Sequence, residues 1–522
     1  MPRSADVGYG QKFAAGACLV LAASFIVGQG AVAQTIPPIG PTTPAAVPLG
    51  QTENSTLSVG EIPQPTIATP GFVSGLTLGE LYTDNLTLAA PAEPKQSALI
   101  TEIQPFLKAA FDAPRLAGVV DYTLTGYLYN NKSQHNQAAQ NLDALATFTV
   151  LPQHLFLDGT ALYQRQTINQ ALPSGAGYFL TNNQANMALG TLSPYWVQSL
   201  GALGTATLRY SHGRVVYDTQ GIPSQNDALL SGVPNITSNG LEFNEVSPKD
   251  TTWGWSLLYS NQRLAPDFGP GIDFEAATLG TSLQVSPNTR LLADIGKENR
   301  FLPDGTVDRL GARFWDAGFE WSASRNDFKV LTGHRFFGRS YELDWTHTAA
   351  LLTTTVSYSE EPTDLNQQWL QQNPGAAVIS PISIPPIGSI TEFQPYLSKR
   401  ATASAAYTMP TGTITVTLYD ELRTFFILNS SQERVANADI AWVINLGAFT
   451  TFTPTFGWQR YQFQNGQITY TTYGQLALVH QFGANNFASL NLRRQSGNTY
   501  FGEPGAHAYR ANIMFVSWTH LF

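Results

Sequence analysis

Six carboxylates and two cations recur with a period of two along neighbouring stretches of the chain. In RLLADIGKE, Asp294 and Glu298 share a face opposite Leu291, Ala293 and Ile295. In RFWDAGFEWS, Asp316 and Glu320 oppose Trp315, Phe319 and Trp321. The stretch between, DFKVLTGHRFF, supplies Lys329 and Arg335 on one face, and in SYELDWTH Glu342 and Asp344 oppose Tyr341, Leu343 and Trp345. Further along, Glu421 and Arg423 share the polar face of GTITVTLYDELRTFF with Thr413, Thr415 and Thr417. One chemistry suits such an array: a charged wall that screens or guides a solute through a pore. The plainer reading is a solvated interior whose ion pairs fill space.

Nucleophilic and metal chemistry find less support. The histidines are His135, His154, His212, His334, His347, His480, His507 and His520. None belongs to a His-x-x-x-His pair, and no Gly-x-Ser-x-Gly elbow occurs. Walker and dinucleotide-binding glycine patterns are absent too. His334 and His347 flank a short hairpin and could be brought beside Asp344, the one arrangement that would resemble a hydrolase site. No catalytic residue, metal ligand or cofactor is expected.

What could position such a wall follows from composition and period. Charged residues make up only 12%, and the formal net charge is −9. That is about half the usual charged share, and no Lys/Arg run offers a nucleic acid a footing. Strand- and turn-forming residues replace the missing Lys and Glu. Period two also governs GVVDYTLTGYLYNN, where Val120, Tyr122, Leu124 and Leu128 oppose Asp121, Thr123 and Thr125, and the stretch where Leu490 and Leu492 oppose Ser489, Asn491 and Arg493. Such faces fit a sandwich core or a lipid-facing barrel. The connections decide between them. Tight turns at 113–115, 151–153, 286–288, 325–327, 409–411 and 484–486 mostly alternate with longer polar loops at 130–141, 168–182, 218–239, 263–273, 299–310, 362–396 and 496–507. The alternation closes once GLEFNEVS (240–247) and TTWGWSLLYSNQR (251–263) are read as two strands about a SerProLysAsp turn. The expectation is an all-β, up-and-down transmembrane β-barrel of about 22 strands, within 18–24, with both termini on the turn side, in the periplasm. The stretch 443–454 is the least defined.

Arg3 and Lys12, an apolar run from Phe13 to Val27 and the small residues of AVA read as a signal peptide over 1–33, and the single Cys18 falls inside it. Residues 34–72 read as a Pro-rich periplasmic linker and 73–522 as the barrel. A linker that short leaves no room for a globular plug of the kind that fills 22-stranded transporters. Open edges are not tolerated in lipid, so the last strand must pair with the first, about 74–88. That last strand ends VSWTHLF, with Met514, Val516, Trp518 and Phe522 on one face, the pattern the barrel-insertion machinery reads; His520 departs from it.

TLGELYTDNLTL (77–88), GVVDYTLTGYLY (118–129), GHRFFGRSYELDWTH (333–347) and VSYSEEPT (356–363) resemble blocks of a bacterial outer-membrane barrel family associated with PEP-CTERM/exosortase systems, which accompany exopolysaccharide gene clusters. The resemblance spans nearly all of the chain after the signal segment. It implies a Gram-negative outer membrane, with lipid around the barrel and polysaccharide or secretion-system components as partners, and it transfers no catalytic residue. The functional expectation is a pore or export-associated channel. A structural or adhesive barrel without transport is the alternative, and an outer-membrane hydrolase a more distant one.

Overall fold

The computed structural model describes residues 71–130, 134–181, 183–218, 233–248, 251–371, 387–390, 393–427, 431–501, 503–504 and 508–522. The expected signal segment, nearly all of the linker, the middle of the 362–396 loop and His507 lie outside them.

Strands follow one another as β1 (Gly71–Thr83), β2 (Ala98–Ala113), β3 (Leu116–Tyr129), β4 (Gln137–Leu151), β5 (Leu155–Thr167), β6 (Gln184–Ser199), β7 (Thr205–Asp218), β8 (Ile236–Val246), β9 (Trp253–Pro266), β10 (Ile272–Ser286) and β11 (Thr289–Phe301). The second half runs β12 (Val307–Ala323), β13 (Asn326–Arg335), β14 (Gly338–Thr348), β15 (Leu352–Thr363), β16 (Tyr396–Met409), β17 (Gly412–Phe425), β18 (Gln432–Asn445), β19 (Thr450–Gln462), β20 (Ile468–Phe482), β21 (Asn486–Phe501) and β22 (Tyr509–Leu521). Glu503–Pro504 only bridges to the loop end of β21. Each strand pairs antiparallel with the next. Closure is made by β1 against β22, from Gly75 opposite Leu521 to Thr83 opposite Ile513. The ring therefore holds 22 strands among the described residues, with the inserted pair β8 and β9 where the alternation required it.

No described helix is long and apolar enough to cross a membrane. The strands make the crossing, and the period-two faces show how. Leu291, Ile295, Trp315, Leu418 and Leu492 are exposed on the outside, where lipid replaces water, while Asn491 and Arg493 are buried on the inside. On the last strand Met514, Val516, Trp518 and Phe522 all point outward. His520 sits between Trp518 and Phe522, with ring centroids 5.8 and 5.1 Å away, and its Nδ1 is 3.0 Å from Asn486 Oδ1. A hydrogen-bonded imidazole among aromatics suits the polar margin of the bilayer.

Two expectations need correction. The first strand opens at Gly71 and ends at Thr83, short of Leu88. The DNLTL stretch turns instead, because the Asn85 amide donates to the Ala89 carbonyl (2.9 Å) and accepts from its N–H (2.8 Å), and Leu88 takes φ +52°. Residues 443–454 are the end of β18, a turn and the start of β19 rather than one strand. The described parts of two long loops, at 168–182 and 362–396, fold inward.

Candidate functional site

The charged wall is built by β11 to β14. Register sets Asp294 opposite Asp316 and Arg290 opposite Glu320, then Glu320 opposite Lys329 and Lys329 opposite Asp344. All six carboxylates share the inward face with Lys329 and Arg335. Arg335 forks between two strands: Nη1 donates to Glu298 Oε2 at 2.9 Å and Nη2 to Asp316 Oδ2 at 2.9 Å. Its guanidinium lies 4.4 Å from the Phe314 ring centroid, and Ser340 Oγ donates to the other Asp316 oxygen at 2.9 Å. Lys329 donates to Glu342. Carboxylates outnumber cations on this wall, so it repels anions and draws cations.

Gly333 makes the Arg335 fork feasible. A Cβ there would lie 2.1 Å from Asp316 Oδ1 and 2.1 Å from the Trp315 carbonyl oxygen. Gly333→Ala is expected to cost about 1–3 kcal/mol by overpacking, seen as a lower urea midpoint of the lipid-embedded barrel. Gly474→Ala, which meets nothing within 4 Å, should be neutral.

His334 and His347 do not meet. Opposite His334 stands Arg339, at the loop end of the hairpin, whereas His347 stands at the turn end opposite Asn326, whose Oδ1 lies 2.8 Å from its Nδ1. The hydrolase-like grouping with Asp344 is not formed.

Glu421 and Arg423 face inward as their period requires, but they do not line an open lumen. They are 0% and 2% exposed. The reason is the loop after β15. DLNQQWLQ places an aspartate just before a short amphipathic turn, and α1 (Leu365–Gln371) forms there with Asp364 at its N-terminus. Leu365 and Trp369 join Met187, Leu189, Val215 and Ile236 in one apolar cluster on the inner face of β6 to β8. Tyr217 Oη of β7 donates to Asn366 Oδ1 (2.9 Å), and Gln367 Nε2 donates to Gln262 Oε1 of β9 (3.0 Å). Toward the other side, Gln368 Nε2 donates to Glu421 Oε1 of β17 at 3.2 Å. In a ring of 22, β7 and β17 stand almost opposite, so α1 crosses the lumen.

Arg423 is the latch on the far side. Its Nε donates to Glu421 Oε2 at 2.8 Å and its Nη2 to the Ile387 carbonyl of the same loop. Glu421 also accepts from Tyr419 Oη (2.7 Å) and Ser398 Oγ (2.6 Å). Satisfying every oxygen of a buried carboxylate is what makes its burial tolerable. Gly388 lets the loop lie this close: a Cβ there would be 2.9 Å from Arg423 Nη1.

The 168–183 loop folds in from the other side. Tyr178 and Phe179 are buried against Leu81, Tyr127 and Phe515. Tyr509 Oη donates to the Ser174 carbonyl at 3.2 Å, and Leu180 N to the Leu86 carbonyl at 3.1 Å. The two loops then meet: Ile390 N donates to the Ile168 carbonyl (3.1 Å) and Gln170 N to Ser389 Oγ (3.2 Å). The sequence held two cues to this, an N-terminal Asp before L-x-x-x-W-L and the aromatic pair of GYFL inside a polar loop.

Fold and site together define an outer-membrane β-barrel whose loop-side mouth is crossed by two inward-folded loops. No family model matches the chain, and no curated protein matches it. Among solved structures, the FrpB iron transporter from Neisseria meningitidis (F5-1 variant) is similar at 10% identity and TM-score 0.48, over 88% of this chain and 83% of that one. The siderophore receptor PirA from Acinetobacter baumannii is similar at 6% identity and TM-score 0.44, over 87% and 81%. The FpvAI–pyocin S2 complex is similar at 12% identity and TM-score 0.43, over 87% and 73%. The barrel assignment rests on the strand register.

Proposed function

We propose that the protein is a gated outer-membrane passage for a large polar solute, serving export of the exopolysaccharide kind that accompanies PEP-CTERM systems. The chain's own loops, not a globular plug, close its mouth. Both ends of the barrel chain lie on the periplasmic side, where the insertion machinery reads Met514, Val516, Trp518 and Phe522 on β22. The observation that carries this reading is α1 held across the lumen between β7 and β17. A barrel meant only as a scaffold has no need of a polar interior with a latched lid. A ring wider than the 16–18-stranded porins has ample room once the lid moves.

Planar-bilayer recording tests it. The wild-type barrel should show rare, brief openings that lengthen in moderate urea, before the barrel itself unfolds. A correctly folded barrel that stays silent in urea and with its latch removed would sink the passage. Polysaccharide secretion should fall in a strain lacking the protein; unchanged secretion with a conducting barrel would remove the export role and keep the passage.

A further inference from the structure

Below α1, on its β6-to-β11 side, lies a cavity of about 430 Å³. That lies within the range of about 300–1,000 Å³ typical of small-ligand sites. Its wall has an unusual make-up. Four successive strands each turn a serine into it: Ser193 of β6, Ser211 of β7, Ser238 of β8 and Ser260 of β9. Ser193 Oγ donates to Ser211 Oγ at 2.9 Å, and Gln262 Nε2 donates to Ser238 Oγ at 3.0 Å. A hydroxyl can donate one bond and accept two, so each serine keeps capacity facing the cavity after these bonds are made. Gln367 of α1 roofs the space, and Phe274 of β10 with Phe301 of β11, ring centroids 5.5 Å apart, gives it one aromatic face.

The charges narrow the ligand further. Glu242, Glu275, Glu298 and Glu361 line the cavity, and Arg335 is the one arginine or lysine among its lining residues. Arg335 already donates from one terminal nitrogen to Glu298 and from the other to Asp316, so its charge is balanced by two carboxylates. Glu298 is balanced by Arg335 and Glu361 lies 3.8 Å from Arg400, but the carboxylates still outnumber the cations beside them, so an anionic ligand would meet net negative charge as it leaves bulk water. A dense set of small hydroxyls and amides, one aromatic face and no anion hook is the chemistry of a polyhydroxylated, uncharged ligand.

We infer that this cavity is a binding site for an uncharged sugar unit, held between the serine stripe of β6 to β9 and the underside of α1. The inference rests on the passage reading and names the solute class the passage admits. It also ties occupancy to the lid, because Gln367 bonds Gln262 beside the serine stripe and lies on the helix that must move.

Gly240 gives the clean test. A Cβ there would meet only ordinary contacts, 3.6 Å from the Asn261 carbonyl oxygen and 3.6 Å from Ser211 Cβ. A side chain added there enters the cavity without disturbing the wall, and a strand gains β-propensity when glycine is replaced. Calorimetric titration of the full-length protein in detergent should use three neutral trisaccharides, maltotriose, cellotriose and mannotriose, against trigalacturonate. At least one neutral trisaccharide should bind saturably, trigalacturonate more than tenfold more weakly, and Gly240→Phe should abolish binding while keeping the heat-dependent gel shift of an intact barrel. Trigalacturonate binding as tightly as the neutral sugars overturns the inference. So does unchanged affinity in Gly240→Phe, or no binding of any neutral trisaccharide. Conductance and sugar binding are measured apart: a silent barrel that binds sugar overturns the passage and leaves the site, and a conducting barrel that binds none does the reverse.

Discussion

Arg423→Ala should raise the open probability of the barrel by roughly a hundredfold or more. The side chain is 2% exposed and joins Glu421 of β17 to the Ile387 carbonyl of the lid loop. Breaking one half of a buried ion pair costs about 3–5 kcal/mol when the remaining charge has no other partner; Arg400 stays 3.8 Å from Glu421, so the lower end applies. At about 1.4 kcal/mol per tenfold, that shifts a closed-to-open equilibrium by about two orders of magnitude. The loss falls on the closed state if Glu421 regains water when the lid lifts. Leu365 and Trp369 stay in their apolar cluster, each worth about 1.5–3 kcal/mol, so the lid should fluctuate rather than detach. Arg423→Lys keeps the charge without the fork and should fall between the two. The control lies close by. Arg434 and Asp420 pair at 2.8 Å on the outer face, 52% and 41% exposed, away from the lid, so the pair is the same in the closed and open states. Arg434→Ala should leave gating unchanged. An Arg423→Ala barrel that folds normally and gates like wild type would show that the latch does not hold the lid.

Those two arginines also mark what the sequence could say. Period two assigned Arg423 to the inner face and flagged Asp420 as an interruption of the outer one. Both assignments hold, because lipid outside and water inside punish any slip of register. The same pressure made strand number, closure and the added pair β8 and β9 legible. The Arg434 partner explains how the outer face tolerates Asp420.

Alternation gives the direction of a side chain but not what lies opposite it across the lumen. Asp316 and Arg423 read alike in sequence. One forms a wall around Arg335, and the other is sealed beneath a loop more than twenty residues away in the chain. That difference is a long-range contact, carried by loops whose polar composition suggests solvent exposure. Leu365, Trp369, Tyr178 and Phe179 contradict that suggestion, being buried inside the ring. The histidine pair failed for a related reason: a hairpin brings its ends into register, but His334 and His347 lie at opposite ends of it.

The lid should also respond to pH, and through one residue. Asp364 precedes α1 and accepts from the Asn366 backbone N–H at 2.8 Å and from the Asn366 amide at 3.2 Å. Those bonds favour the charged form. Backbone N–H groups of Gln367 and Gln394 act the same way, but burial opposes them all and prevails: the residue is fully buried and its carboxyl is pushed up to about 6. A raised carboxyl means that the folded lid prefers the proton. Its contribution is therefore complete below about pH 4 and is lost as pH rises through about 6. A shift of about 2 units corresponds to about 3 kcal/mol, enough to change the open fraction more than tenfold. Openings should be rarer at pH 5 than at pH 7.5. Asp364→Asn keeps a capping acceptor of equal quality and removes the charge, so it should hold the lid shut across that interval. If Asp364→Asn gates with the wild-type pH profile, the dependence lies elsewhere. If openings grow as pH falls, the sign of the argument is wrong, and the bonds from Asn366, not burial, govern the lid.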